Sequence, residues 1–193
     1  MKYVVLLRGI NVGGKNIIKM NDLKQLLLDL NFKNIQTYVQ SGNVVLDSDL
    51  DEASLHNKIS DGFVKQFGFE IVMIIRNIDE MQYLIAQMPF SPDEMIAAET
   101  ADPKVEHLYV YFLESLPEES QIETIRRKYA GSDTLRVGKR ECYLLCHQSI
   151  RKSKLAGYTS KVFNTATVRN WKSVCNLYDM MTGRQPNSKK IER

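Results

Sequence analysis

The chain has 193 residues, 44% of them hydrophobic, with 26 Lys plus Arg against 23 Asp plus Glu. That length suits one medium domain or two small lobes, and that apolar content excludes global disorder. The longest apolar runs, Tyr3 to Leu7 and Ile71 to Ile75, fall far short of the roughly 20 residues a membrane helix needs, and Arg8 interrupts the N-terminal run too early for a secretory signal.

Lys2 to Arg8 is short, rich in β-branched residues and bounded by cations, which predicts a buried strand. A Gly/Asn loop, Gly9 to Asn16, follows it. Leu23, Leu26, Leu27 and Leu30 then fall at i, i+3, i+4 and i+7, the spacing of an amphipathic helix, with Asn21 or Asp22 as its cap and Asn31 as its stop. Asn34 to Tyr38 predicts a second strand, Ser41-Gly42-Asn43 a turn, and Val44 to Leu46 a third strand. A second helix starts near Ser48 and Asp51, carries Leu55, Ile59, Phe63 and Phe67 on one stripe, and ends at Gly68. Phe69 to Ile75 completes a β-α-β-β-α-β order, the ferredoxin-like arrangement. A third helix is expected over Asp79 to Met88.

Residues 89–104 carry Pro89, Pro92 and Pro103 among acidic residues, which predicts a linker between a lobe at 1–88 and a second at 105–193. In that second lobe Glu106 to Leu113 is expected as a strand, a helix opens at Pro117, and Thr134 to Val137 with Glu141 to His147 form a hairpin. From 150 a basic loop region leads to a helix from Thr167 to Met181, whose apolar face is Val168, Trp171, Val174, Cys175, Tyr178 and Met181. The fold class is therefore α+β, with a ferredoxin-like first lobe (βαββαβ) and a second β-α-β-β unit closed by a C-terminal helix. The last ten residues read as a frayed tail.

The small net charge of +3 hides a strong pattern. Residues 1–46 hold 6 basic and 2 acidic residues (net +4), 47–125 hold 4 and 17 (net −13), and 126–193 hold 16 and 4 (net +12). Basic ends that meet would concentrate phosphates and polyanions; the simpler alternative is a set of solvated charged faces. Three cysteines, Cys142, Cys146 and Cys175, are an odd number without a secretion signal, which argues for reduced thiols and a cytoplasmic protein. Cys142 and Cys146 share a strand face with Leu144, the pattern of core packing. The three histidines stand far apart, so no metal site is expected.

Three segments carry polar chemistry. The first is Arg8-Gly9-Ile10-Asn11-Val12-Gly13-Gly14-Lys15-Asn16, where glycines permit backbone N–H groups to converge on an anion and cations neutralise it. It is one residue short of a nucleotide P-loop: Gly9, Gly14 and Lys15 match, but Asn16 stands where Ser or Thr should hold magnesium. The second is the Ser41-Gly42-Asn43 turn. In a ferredoxin-like sheet the end of the first strand lies beside the start of the third, so Arg8 and its loop should approach Ser41 and Asn43. The third is Ser153-Lys154 together with Arg169-Asn170. Here Thr165 or Thr167 would cap the last helix, placing Arg169 and Asn170 in its first turn beside a positive helix end. Trp171, the one tryptophan, is expected as a core anchor.

The runs LLRGINVGGKN, MNDL, TYVQSGNVV, SKL and TVRNWKSV together resemble the uncharacterised bacterial family called domain of unknown function 1697, across essentially the whole chain. The motif positions are Arg8, Gly9, Asn11, Gly13, Gly14, Ser41, Gly42, Asn43, Ser153, Lys154, Arg169, Asn170 and Trp171. Ile17 to Met20 fills the family's basic-apolar stretch, and Ser173 stands where Thr is common. The resemblance implies a soluble cytoplasmic protein of two α+β lobes and no established reaction, ligand or cofactor.

The leading expectation is a protein that binds a phosphate-bearing small molecule or a nucleic-acid backbone. Arg8, Lys15, Lys154 and Arg169 would supply charge, the loop Gly9–Gly14 with Gly13 backbone donors, and Asn11, Ser41, Asn43 and Asn170 directional hydrogen bonds, with Gly42 and Ser153 in the same ligand set. Nucleic acid is disfavoured by the lack of aromatic residues among the basic ones and favoured by the basic last third. An enzyme of phosphoryl- or acyl-transfer type is the first alternative, with Ser41 and Lys154 as its candidate groups. The second is that the motifs are structural and lock the lobes together.

Overall fold

The protein is described here from a computed structural model, over residues 1–11, 16–39 and 42–184. Lys15, Gly13, Gly14 and Ser41, all expected in the ligand set, lie outside the described residues, as does the tail from 185. The chain divides into two compact units: Met1–Gln82 together with the chain from Cys175 onward, and Tyr83–Val174.

The first unit runs β1 (Lys2–Arg8), α1 (Met20–Asp29), β2 (Lys33–Tyr38), β3 (Asn43–Asp47), α2 (Glu52–Phe67) and β4 (Val72–Asn77). Its sheet order is β2-β3-β1-β4, antiparallel throughout, as the ferredoxin-like reading requires. Tyr3, Val5 and Leu7 alternate along β1 into a core with Leu23, Leu26 and Leu27 of α1 and Leu55, Ile59 and Phe63 of α2. Val4 and Leu6, on the opposite face, are equally buried. A strand covered on both faces must be apolar without a break, and that is why β1 shows no polar alternation. The Asp51 carboxylate accepts from Ser54 N at 2.7 Å and starts α2 as expected. α1 starts earlier than expected, so Asn21 and Asp22 lie inside its first turn, where Asp22 favours the helix dipole without capping.

The second unit runs α4 (Pro92–Ala101), β5 (Leu108–Phe112), α5 (Glu119–Lys128), β6 (Thr134–Val137), β7 (Glu141–Leu145), α6 (Lys154–Val162) and β8 (Thr167–Asn170), with sheet order β6-β7-β5-β8. It is a complete second βαββαβ, because two elements stand where the sequence suggested a loop and a helix. α6 is capped by Ser153, and its Leu155 and Ala156 enter the core with Ile122, Ile125, Cys142, Leu144 and Cys146. The segment expected as one helix from Thr167 divides: Thr167 to Asn170 pair with β5, and helix α7 (Trp171–Thr182) begins only afterwards. Helix α3 (Ile78–Ala86) follows β4 in the same way. Trp171 is half-buried at the head of α7 rather than deep in the core.

The stretch 89–104 is built rather than open. Ser91 and Glu94 form a reciprocal capping box around Pro92, which opens α4. The Arg136 guanidinium of β6 grips Glu94 through two hydrogen bonds of 3.0 and 2.6 Å, donates to Pro89 O, and lies 4.5 Å from the Phe90 ring centre. The prolines punctuate a docked helix, not a linker.

All three cysteines are free thiols. Burial pushes Cys142 and Cys146 up to about 12 and raises Cys175 as well. Raised values suppress the reactive thiolate at neutral pH. Native protein treated with a thiol reagent at pH 8 should therefore leave Cys142 and Cys146 unlabelled, while denatured protein labels all three. Fast native labelling of either buried thiol would contradict this packing.

Candidate functional site

In the first unit, β1 delivers Arg8 and Gly9 to the sheet end where β3 and β4 begin: Leu6 pairs with Asn43 and Arg8 with Val72. The loop and the hairpin turn meet there as expected. Leu7 N donates to Gly42 O at 2.7 Å. Gly42 has φ +72°, and a Cβ on it would lie 2.8 Å from both Leu7 Cβ and Ile10 Cδ1. Asn43 is fully buried and its amide donates to Tyr38 O at 3.0 Å, so it closes the turn from within. Val39, at the turn's shoulder, holds φ 49° while 54% exposed, a costly conformation for a β-branched residue.

The loop after β1 is pinned at its base. Asn11 donates from Nδ2 to Ile18 O at 2.9 Å and accepts from Ile18 N at 2.8 Å, copying one rung of a sheet. Asn11 N reaches Asn16 O at 3.2 Å, and the Asn16 amide reaches Gly9 O at 3.3 Å. Asn11 thus spends its side chain on shape. Arg8 does not: it is exposed, and among the described residues its guanidinium has no hydrogen-bond or ion-pair partner. Gly9 beside it is exposed and has φ +74°, with no atom of the described residues within 4 Å of where a Cβ would stand. Both neighbours of β1 run antiparallel to it, and the helix starts only at Met20. This is not the parallel strand-loop-helix of a nucleotide P-loop.

The second unit uses its motif residues differently. Ser153 is buried. Its hydroxyl donates to Asp133 Oδ2 at 2.6 Å and accepts from Ala156 N at 3.1 Å, which caps α6. The other Asp133 oxygen accepts from His147 N at 2.9 Å. One buried carboxylate therefore ties the start of β6, the end of β7 and the start of α6 together. Lys154 is exposed on the first turn of α6. Arg169 lies in β8 opposite Val110, and its Nη1 donates to Thr167 Oγ1 and Val168 O, both at 2.8 Å. It keeps part of its surface, yet burial brings its pKa down to about 10. Asn170 caps α7, accepting from Ser173 N at 2.9 Å, in place of the expected Thr165 or Thr167.

The first unit repeats this device. Arg76 lies in β4 opposite Val4, is 1% exposed and donates to Ile75 O at 2.7 Å, while Asn77 accepts from Glu80 N at 2.9 Å at the head of α3. Both halves therefore end their last strand with Arg-Asn, the arginine donating back to the carbonyl before it and the asparagine capping the next helix. The signal was present in the sequence as a repeated dipeptide before a helix. Asp133 carried no such signal, because its partner is 20 residues away.

A family model described as a protein of unknown function (DUF1697) matches residues 1–143. The chain belongs to this family. The matched stretch of this DUF1697 protein contains the Arg8 loop and the Ser41 turn, whereas Ser153 and Arg169 lie beyond it. No curated protein matches the chain. Its fold is similar to that of the conserved bacterial protein SP0830 from Streptococcus pneumoniae, with a TM-score of 0.70 and 22% identity over 93% of this chain and 98% of that one. Among the described residues no three His, Cys, Asp or Glu side chains cluster to hold a metal ion, and no helix is long and apolar enough to cross a membrane.

Proposed function

We propose that this DUF1697 protein binds a phosphate-bearing anion at the end of its first sheet. The observation that carries the reading is Arg8: an exposed guanidinium with no partner among the described residues, held at the end of a rigid strand beside the exposed Gly9. Arginine's planar fork matches phosphate oxygens in pairs. Its neighbours Asn11, Gly42 and Asn43 fix the ground it stands on. The motif residues of the second unit, Ser153, Arg169 and Asn170, we assign to the fold, since their polar groups are taken by Asp133, Thr167, Val168 and Ser173. Three free thiols support a reducing, cytoplasmic setting.

The test is a thermal-shift panel of nucleotides, sugar phosphates, short RNA and inorganic phosphate, run on the wild type and on Arg8→Glu. A ligand for the native state raises Tm by mass action. Arg8→Glu should leave the unliganded Tm within the change of about 0.5 kcal/mol typical of surface positions and abolish the ligand shift. Steep salt dependence with RNA would identify a polymer backbone as the ligand. A panel in which no ligand loses its shift in Arg8→Glu would sink the reading.

A further inference from the structure

A second polar site lies at the other end of the same sheet. Lys2 begins β1 and Arg8 ends it, so at ~3.3 Å per residue the two ends are about 20 Å apart. There a cavity of about 490 Å³ is lined by Lys2, Phe32, Lys33, Asp47, Asp49 and Lys58 among its walls. The volume is in the range of small-molecule sites, roughly 300–1,000 Å³.

Its charges are arranged across three strands. Asp47 of β3 lies opposite Lys2 on β1 and opposite Lys33 on β2. Only Lys2 is paired, with its Nζ 3.4 Å from Asp47 Oδ1. The other carboxylate oxygen takes the Asn34 amide at 2.6 Å. Burial raises the Asp47 pKa, but Asn34 and Lys2 outweigh it and the group stays lowered, hence ionised. Lys33 and Lys58 have no carboxylate partner among the described residues; Lys58 lies 5.1 Å from the centre of the Phe32 ring. Asp47 Oδ1 is covered and faces Lys2, whereas Oδ2 lies in an exposed contact and the side chain keeps 28% of its surface.

The wall also has an unusual backbone. Asn31 and Asn34, on either side of Phe32-Lys33, both have positive φ, of 61° and 52°. The β2–β3 register slips between Lys33 and Gln36. Irregularities of this kind re-aim side chains and gather at binding sites.

We propose that this cavity binds a small hydroxylated anion, a sugar phosphate or a sugar acid. Lys33 and Lys58 take the charged group, and a ligand hydroxyl donates to Asp47 Oδ2, the oxygen at the exposed Asn34 contact. Neither lysine presents a flat fork, so either a phosphate or a carboxylate suits them. This site is separate from the one at Arg8 and does not depend on it.

Isothermal titration of the full chain with glucose 6-phosphate, gluconate, glucose and inorganic phosphate tests the proposal. Saturable binding is expected for glucose 6-phosphate or gluconate, the pair telling which anion is preferred. Glucose should give none, and inorganic phosphate should bind at least about tenfold more weakly, since it cannot bring a separate hydroxyl to Asp47. Lys33→Ala with Lys58→Ala should weaken binding by at least about tenfold, with a melting curve recorded to show that the variant is folded; Lys33→Glu alone is the second variant. Arg8→Glu should leave this binding unchanged. Three results, each read in the Arg8→Glu chain so that the first site is silent, would overturn the proposal: no saturable heat with either hydroxylated anion, inorganic phosphate binding as tightly as they do, or binding that survives both lysine variants.

Discussion

Ser153→Ala should be among the most damaging single substitutions in the second unit, although it removes only one oxygen. Loss of the cap at α6 costs about 1 kcal/mol. Loss of the 2.6 Å hydroxyl bond leaves the buried Asp133 carboxylate short of a donor, at about 1–3 kcal/mol more. The expected total is about 3 kcal/mol, a fall in Tm of roughly 6–12 °C for a chain of this size. Because the two residues act as one unit, Asp133→Asn combined with Ser153→Ala should cost less than the separate losses together, by at least about 0.5 kcal/mol. Calorimetry on the single and double variants decides it. A loss under about 1 kcal/mol for Ser153→Ala would mean the hydroxyl is not a brace, and Ser153 would return to the ligand set.

Gly42→Ala should be comparably severe in the first unit. A positive φ costs a residue with a side chain about 1 kcal/mol. The new methyl would also lie 2.8 Å from Leu7 Cβ, an atom fixed to β1 that cannot swing aside as a side-chain tip would. Overpacking of this kind costs about 1–3 kcal/mol, so about 2–4 kcal/mol should be lost in all. Gly9→Ala is the control: the φ is nearly the same, but no atom of the described residues is close, and only the ~1 kcal/mol backbone cost should appear. Urea melts of the two variants separate conformation from contact. Equal losses would show that the Leu7 contact carries nothing.

The parts of the fold legible in the sequence were those whose cause is local. The unbroken apolar run of β1, the four leucines around α1 and the Asp51 cap each declare themselves within a few residues. Errors arose where two local signals coincided. Val168 falls in helical register with Trp171 and Val174, so a strand residue passed for helix; only Asn170, as a cap, marks the true start of α7. α6 was hidden by Gly157 and Thr159, poor helix formers inside a short element. Pro92 looked like a break because a proline at a first helical turn and a proline in a loop spell the same. For the site, strand order leads one to expect the Arg8 loop beside Ser41 and Asn43; what the described residues show of it is Gly42 against Leu7 and Ile10. The bond from Ser153 to Asp133 did not, since nothing in the spacing joins them. The cavity beside Lys33 and Lys58 was equally silent, its lysines coming from β2 and α2.

The way the chain is shared between its units also bears on the order of its birth. Asn176 of α7 donates to Tyr38 Oη at 2.6 Å, and Leu177, Met180 and Met181 are buried, all within the unit that otherwise ends at Gln82. A ribosome adding ~5–20 residues per second needs roughly 5–20 s to travel from Gln82 to Cys175. For that interval the first sheet exists without the helix that finishes it, and the part synthesised first must wait for the part synthesised nearly last. A stop codon after Val174 would therefore harm the N-terminal half of the protein more than the half it truncates.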